Sequence, residues 1–272
     1  MMDRSDCEYT FLDRPEILMG LFHPRPEYGS MDSVANAIDV LIPVEGDIRV
    51  AGRFHVAEKS VPNFLFFHGN GEIVSDYDAL GPVYNRMGMN FLVVDYRGYG
   101  RSTGMPTVSN MMRDCHAIFD FTREWLGGNG YGGAFIVMGR SLGSAPALQL
   151  INHYKDLIDG LVLESSFAYT APFLELLGVN SSSMAFSEDK GFRNLDKIRV
   201  WDKRTLIIHA EFDHIFPFSE GQALYDACPS RCKKLLKIPG ANHNDIFMRG
   251  LEAYMKAVKA LSEEIAANYD SL

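Results

Sequence analysis

The segment FIVMGRSLGSAPAL, residues 135–148, decides the fold of this chain. It begins with a short apolar run, continues through Gly139-Arg140-Ser141-Leu142-Gly143, and ends in small residues that are typical of a helix start. A Gly-x-Ser-x-Gly motif between a buried strand and a helix places its serine on a sharp, strained turn. The flanking glycines are needed because a Cβ at either position would collide with the strand or the helix. The segment therefore predicts a strand–turn–helix unit that presents Ser141 as a nucleophile.

Five further apolar runs surround this unit and alternate with helical stretches. Strands that are apolar on both faces are typical of a parallel sheet covered by helices on both sides. An antiparallel hairpin is predicted ahead of them, from AIDVLIPV at residue 37, a turn at 45–47 and IRVAGRFHV. The pattern predicts an α/β fold with a mostly parallel central sheet, helices on both faces and the hairpin at one edge. The six runs lie at 64–67, 91–94, 135–138, 161–163, 206–208 and 235–238.

Length and composition indicate one domain. The chain has 272 residues, 47% of them hydrophobic, and a formal net charge of −9. A chain of this size buries roughly three quarters of its extended surface on folding. We predict a single domain over 1–272, with an N-terminal arm over about 1–35 and a lid-like insertion over about 165–204. The charged fraction of 22% excludes intrinsic disorder, and an acidic balance without a Lys/Arg cluster argues against nucleic acid as a partner.

Four cysteines, Cys7, Cys115, Cys228 and Cys232, are too few for a disulfide scaffold and show no metal-ligand spacing. We expect reduced thiols and a cytoplasmic location, with a metal site or cross-link at Cys228 and Cys232 as the minor alternative. The first twenty residues lack the unbroken apolar stretch of a secretion signal. No apolar run approaches 18 residues, so no membrane span is predicted.

The residues directly after the strands are the candidates for chemistry, because ligands bind at the carboxyl ends of parallel strands. Asp213 follows the fifth apolar run and His243 follows the sixth. Ser141, Asp213 and His243 thus stand in the chain order Ser…Asp…His, which is the order of the α/β-hydrolase triad. We predict Ser141 as nucleophile, His243 as its general base and Asp213 as the acid that orients the imidazole. By the elbow geometry, the backbone N–H of Leu142 is one oxyanion donor.

Together these features resemble the serine α/β hydrolases, and most closely the Bem46-like group that includes the mammalian α/β-hydrolase-domain 13 and 17 branches. The resemblance implies the α/β-hydrolase fold, a serine hydrolase mechanism, and the backbone N–H of Asn70 as the second oxyanion donor. Its motifs are specific to fold and catalytic machinery, not to substrate, and they cover nearly the whole chain. They are FLDRPEIL (11–18), FLFFHGNGE (64–72), VVDYRGYGRSTGMPT (93–107), GRSLGS (139–144), LESSF (163–167), HAEFDHIFP (209–217) and GANHNDIF (240–247).

Other polar residues near these motifs leave alternatives open. Glu164 ends the fourth apolar run, where some α/β hydrolases carry their acid, so it is an alternative to Asp213. The Arg140 side chain is expected to point into the protein or along the sheet edge. The alternative is that it binds an acidic substrate. We expect Asp95 and Arg97 to hold a glycine-rich turn beside the site.

The longest interval between strands, about forty residues, predicts a short lid over the active site. Large apolar residues at its start suit a helix that supplies an acyl pocket, and the serine run at 181–183 suits a flexible lid. We predict Phe167, Phe173, Leu176 and Leu177 as substrate-binding residues. The alternative is that these residues only seal the sheet.

We therefore expect a serine hydrolase that cleaves a carboxylic ester or thioester of a small-to-medium acyl group through an acyl-enzyme. Its partner is a small-molecule acyl ester or thioester, and neither a metal nor an organic cofactor is expected. The alternatives are an acyl-protein or acyl-CoA thioesterase, a peptidase-like hydrolase, and a non-catalytic binding protein of the same fold.

Overall fold

An eight-stranded sheet forms the centre of the protein in the computed structural model, which describes residues 9–28, 34 and 36–269. In chain order the strands are β1 (Ala37–Glu45), β2 (Ile48–His55), β3 (Asn63–Phe67), β4 (Asn90–Val94), β5 (Phe135–Arg140), β6 (Gly160–Glu164), β7 (Arg204–Ala210) and β8 (Lys233–Ile238). Their spatial order is β1-β2-β4-β3-β5-β6-β7-β8. β1 and β2 pair antiparallel, as do β2 and β4, whereas β3 to β8 are all parallel. The predicted α/β arrangement, with a hairpin at one edge of a mostly parallel sheet, is confirmed.

Eight α-helices accompany the strands within the described residues. Thr107 caps the longest helix of the first half, because its side chain accepts a hydrogen bond from the backbone N–H of Asn110 at 3.0 Å. None of these helices combines the length and the hydropathy that crossing a bilayer requires. The helices are α1 (Pro15–Leu21), α2 (Gly81–Arg86), α3 (Val108–Gly128), α4 (Ser144–His153), α5 (Thr170–Leu176), α6 (Asn194–Ile198), α7 (Phe218–Ala227) and α8 (Ile246–Tyr269).

The sheet is buried on both faces, and β3 shows how. Successive side chains of a strand point to opposite faces. Phe64 and Phe66 lie in the apolar layer shared with α2 and α8, whereas Leu65 and Phe67 lie in the layer shared with α3 and α4. Burial on both faces explains why the parallel strands read as unbroken apolar runs instead of an alternating pattern.

The described part of the predicted N-terminal arm, residues 9–28, lies against the rest of the domain. Its apolar residues Leu12, Ile17 and Leu21 are buried in the main core. Pro26 forms a parallel bridge with Gly100, in the loop after β4. The arm is therefore packed onto the body near the carboxyl ends of the strands. Residues 1–8 of that predicted segment, and most of 29–35, lie outside the described residues.

Candidate active site

Ser141 occupies a strained turn between β5 and α4. Its φ of +52° lies in the left-handed region, which a residue other than glycine adopts at an energetic cost. A Cβ on Gly139 would lie 2.3 Å from the backbone oxygen of Gly143, and a Cβ on Gly143 would lie 2.1 Å from the backbone oxygen of Phe67. Both glycines are therefore needed for the turn, and Gly143 brings the elbow into contact with the end of β3.

The structure brings Ser141, Asp213 and His243 into one hydrogen-bonded chain. His243 Nε2 lies 3.0 Å from Ser141 Oγ, and His243 Nδ1 lies 3.0 and 2.8 Å from Asp213 Oδ1 and Oδ2. All three residues are buried. Ser141 follows β5, Asp213 follows β7 and His243 follows β8, so parallel strands deliver the three side chains at one edge of the sheet.

The Asp213 carboxylate is held in place and kept ionised. The backbone N–H groups of Ile215 and Phe216 donate to its Oδ1 at 3.0 and 2.8 Å. Burial raises the pKa of Asp213, but the hydrogen bond and charge of His243, with the Phe216 amide, outweigh burial and leave the pKa below its ordinary value. An ionised Asp213 accepts the Nδ1–H of His243, which leaves Nε2 as an acceptor for the Ser141 hydroxyl. This arrangement can take the serine proton during attack on an electrophile.

The other candidate acid, Glu164, lies in a buried ion-pair network. Its Oε1 accepts a hydrogen bond from Arg140 Nη1 at 2.5 Å, and its Oε2 accepts one from the Tyr254 hydroxyl at 2.8 Å. Arg140 also donates from Nε to Glu72 Oε1 at 2.8 Å. Arg140 is only 6% exposed, which favours the interpretation that it points into the protein over the alternative contact with an acidic substrate.

The loop after β3 carries the predicted oxyanion donor Asn70 and packs against the elbow. The backbone N–H of Gly69 donates to Glu72 Oε2 at 2.6 Å, and the Tyr77 hydroxyl donates to the same oxygen at 2.6 Å. The backbone N–H of Asn70 has no acceptor among the described residues. Leu142 lies in the first turn after the strand, where backbone N–H groups lack an intrahelical partner. The two predicted donors thus lie on two segments that touch each other.

His68, directly after β3, is buried beside this loop. Its Nδ1 lies 2.8 Å from the backbone oxygen of Gly69, and its Nε2 lies 3.1 Å from Asp95 Oδ1. Each ring nitrogen therefore faces an oxygen that can accept a hydrogen bond. Burial lowers the pKa of His68, but the hydrogen bond and charge of Asp95 outweigh burial and raise the pKa above its ordinary value. His68 and Asp95 thus form a buried hydrogen-bonded pair beside the loop that carries Asn70.

His23 also reaches this loop, and the sequence analysis missed it. Its backbone N–H donates to Asn70 Oδ1 at 2.9 Å, and its ring Nδ1 lies 2.8 Å from Asn70 Nδ2. The two residues are 47 positions apart in the chain. The motif near the start of the chain ends at residue 18, so no pattern in the sequence pointed to His23.

Two of the predicted substrate-binding residues belong to the core. Phe167 and Phe173 lie in an aromatic cluster with Phe192 and Phe216, in which neighbouring ring centroids are 5.0 to 5.2 Å apart. The Phe216 ring lies 5.7 Å from the His243 ring, so the cluster extends to the edge of the site. Phe167 and Phe173 are thus buried by other aromatic residues, and their contact with an acyl chain stays a prediction.

The other two predicted substrate-binding residues lie at the end of α5 and just after it. Leu176 is 50% exposed, and Leu177 packs near α1, where a Cβ on Gly20 would lie 3.3 Å from Leu177 Cβ. Ser181, the first residue of the serine run, is tied to Glu175 Oε1 by its backbone N–H at 2.9 Å and its hydroxyl at 2.7 Å. Contact of Leu176 and Leu177 with an acyl chain stays a prediction.

No group of three or more His, Cys, Asp or Glu side chains within the described ranges is arranged to hold a metal ion. Cys228 is buried and its Sγ donates to the backbone oxygen of Trp201 at 3.5 Å, whereas Cys232 is exposed. Both are free thiols in the structure. Cys7 lies outside the described residues.

Comparison with known sequences points in the same direction as the site. A family profile described as "Serine aminopeptidase, S33" matches residues 59–186. The mouse protein named alpha/beta hydrolase domain-containing protein 17C is 31% identical over 220 residues, which cover 77% of this chain and 61% of that protein. The human protein 17B is 31% identical over 212 residues, covering 74% of this chain and 66% of that protein. The chain thus spans less than two thirds of the length of these relatives.

Solved structures share the fold at low sequence identity. The Pyrococcus furiosus esterase Pf2001 aligns with a TM-score of 0.70 at 18% identity, covering 89% of this chain and 98% of that chain. Est1E from Butyrivibrio proteoclasticus, solved with ferulic acid bound, aligns with a TM-score of 0.68 at 18% identity, covering 84% of this chain and 99% of that chain. These similarities establish the fold.

Proposed function

Because the chain belongs to the α/β-hydrolase superfamily, we propose that it is a serine hydrolase cleaving a carboxylic ester or thioester through an acyl-enzyme on Ser141. His243 acts as the general base and then as the general acid, and Asp213 orients its imidazole. The backbone N–H groups of Asn70 and Leu142 stabilise the oxyanion. The acyl group is of small to medium size.

One observation carries this proposal: the His243 imidazole is hydrogen-bonded on both sides, to Asp213 at 2.8 Å and to Ser141 at 3.0 Å. A serine hydroxyl is a weak nucleophile unless a base lies within hydrogen-bond reach. The strained φ of Ser141 and the buried, ionised Asp213 support the same roles, since neither is needed for a simple strand–helix connection.

The reaction proceeds in two halves. Ser141 Oγ attacks the acyl carbon while its proton moves to His243 Nε2, and the carbonyl oxygen becomes an oxyanion between Asn70 and Leu142. Collapse of this intermediate expels the alcohol or thiol, which takes the proton from His243. Water then attacks the acyl-enzyme by the same route, and the acid product and free Ser141 are released.

Ester cleavage has support from the structural neighbours, since Pf2001 is described as an esterase and Est1E holds a carboxylic acid, ferulic acid. A thioesterase uses the same machinery with a better leaving group. The family description "Serine aminopeptidase" favours peptide-bond cleavage as a second candidate. All three reactions require the same acyl-enzyme, and a non-catalytic binding protein requires none of it.

The test is hydrolysis of matched p-nitrophenyl esters, acyl-CoA thioesters and amino-acid anilides by wild-type protein and Ser141→Ala. We expect ester or thioester turnover in the wild type, and a loss of about 10⁴-fold or more in kcat in Ser141→Ala with an unchanged circular dichroism spectrum. Turnover of anilides alone would favour the peptidase. A wild type without turnover on any series, or a Ser141→Ala variant keeping more than a few per cent of it, contradicts the proposal.

A further inference from the structure

We infer that His23 is a positioning residue for the oxyanion loop (residues 68–72), so that the N-terminal segment contributes this one side chain to the active site. This inference rests on the proposed function, because it concerns the donor role proposed for Asn70. The inferred action of His23 runs through the side chain of Asn70 and does not involve contact with the substrate.

The Asn70 side chain is anchored entirely by residues outside its own loop. Its Oδ1 accepts hydrogen bonds from the backbone N–H of His23 at 2.9 Å and from the Tyr99 hydroxyl at 2.6 Å. Because two donors meet Oδ1, the orientation of the amide is fixed, and Nδ2 faces His23 Nδ1 at 2.8 Å. The imidazole nitrogen therefore accepts, and the side chain of His23 closes a three-bond clamp around the amide.

The hydrogen bonds within the loop itself lie on either side of residue 70, where the backbone N–H of Glu72 donates to the backbone oxygen of Gly69 over a long 3.3 Å. Gly69 is fixed by the bond from its N–H to Glu72. Gly71 follows with a φ of +75°, and a Cβ there would meet no atom within 4 Å, so no side chain packs against that side of the turn. The clamp on the Asn70 side chain therefore adds to this long turn bond in fixing the direction of the Asn70 backbone N–H.

His23 is itself fixed by the arm on both sides. Leu21 and Phe22, directly before it, are buried in the main core. Two residues after it, the guanidinium of Arg25 pairs with Asp76 at 2.5 Å, and the backbone oxygen of Arg25 accepts a hydrogen bond from the N–H of Gly100 at 3.1 Å. The segment that carries His23 is thus held in place on both sides. The imidazole therefore stays next to Asn70, although His23 is exposed to solvent.

This placement predicts a specific kinetic signature. The oxyanion exists only in the transition state and tetrahedral intermediate, so a misdirected donor lowers kcat and leaves KM nearly unchanged. Loss of a whole oxyanion donor costs on the order of 10²- to 10³-fold in kcat. Loss of the imidazole removes one of the three bonds, which misdirects the donor without deleting it, and we expect a fall of about tenfold.

The experiment compares His23→Ala, His23→Gln and His23→Asn with wild type. The amide oxygen of a short asparagine side chain can take the place of Nδ1 as acceptor, whereas alanine has no acceptor and glutamine places one farther out. We expect kcat to fall about tenfold in His23→Ala and His23→Gln and to stay within about threefold of wild type in His23→Asn, with KM unchanged. The matched control is Met19→Ala, an exposed position of the same arm, which should behave as wild type.

The rate of covalent labelling by a fluorophosphonate gives a second readout, because its phosphoryl oxygen requires the same donors. This rate should fall in His23→Ala in parallel with kcat, while the melting temperature stays close to that of wild type. The inference is overturned by full activity in His23→Ala, by equal losses in His23→Ala and His23→Asn, or by a change confined to KM. In each of these cases the proposed function still stands if the wild-type protein turns over substrate. A wild type without turnover overturns both.

Discussion

Arg140, the residue before Ser141, donates a hydrogen bond from Nη2 to the backbone oxygen of His243 at 2.9 Å. The same guanidinium pairs with Glu72, which holds the N–H of Gly69 in the oxyanion loop. One buried side chain therefore joins the segment of the proposed base to the segment of a proposed oxyanion donor. The guanidinium therefore holds the loop after β3 and the loop after β8 in fixed relative positions.

Arg140→Lys keeps the positive charge, but lysine lacks the planar guanidinium whose nitrogens donate in fixed directions. The hydrogen bond to the backbone oxygen of His243 is therefore lost. We expect kcat to fall about 10- to 100-fold with a smaller change in KM, measured on a p-nitrophenyl ester. The matched control is Arg97→Lys, since Arg97 is equally buried and pairs with Asp114 and Glu45 away from His243. Equal kcat values in the two variants would show that the bond to His243 has no role in catalysis.

The identity of the acid is tested by two conservative substitutions. Asp213→Asn keeps the shape but favours the wrong imidazole tautomer, and we expect kcat to fall about 10⁴-fold. Glu164→Gln should keep most of the wild-type kcat while lowering the melting temperature, because Glu164 pairs with Arg140 and Tyr254. The opposite ranking of the two kcat values would move the acid to the end of β6.

Glu72 should make stability depend on pH in an acidic window. Burial raises its pKa, but the charge of Arg140 and the hydrogen bonds from Tyr77 and Arg140 outweigh burial and lower the pKa from 4.5 to about 2. A carboxylate with a depressed pKa contributes stability that is present above about pH 4.5 and is lost as the pH falls towards 2. The depression corresponds to a contribution on the order of 3 kcal/mol.

Urea unfolding of wild type and Glu72→Gln at several pH values measures this contribution. Their difference in unfolding free energy should be largest near pH 6 and shrink steadily between about pH 4.5 and 2. Glu263→Gln, at an exposed ion pair on α8, should change stability little at every pH. A Glu72→Gln difference that stays constant down to pH 2.5 contradicts the assigned network.

Chain-length dependence tests the proposed acyl pocket. Each methylene leaving water contributes up to about 0.8 kcal/mol, so two methylenes raise kcat/KM up to about tenfold until the pocket is filled. Because the interval between β6 and β7 is only about forty residues long, the pocket should fill early, and we expect the optimum at about four to eight carbons. Leu176→Ala should flatten the dependence and spare acetate esters. Rates rising steadily to sixteen carbons would contradict a small pocket.

Local patterns in the sequence predicted the fold and the three hydrogen-bonded groups at the carboxyl edge of its parallel strands. The apolar runs located β3 to β8, and the elbow and the chain order pointed to Ser141, Asp213 and His243. The partners of Arg140 could not be predicted, because Glu72, Glu164 and His243 lie on separate segments and long-range packing decides which buried polar groups meet. His23 was missed for the same reason.

The central claim is that Ser141 is an activated nucleophile, and covalent labelling with a fluorophosphonate followed by peptide mapping tests it most directly. We predict one label per molecule, on the peptide containing Ser141, with a labelling rate that falls sharply in His243→Ala and no label in folded Ser141→Ala. Wild-type protein that is folded but takes no label, or a Ser141→Ala variant that labels as fast as wild type, would contradict the account.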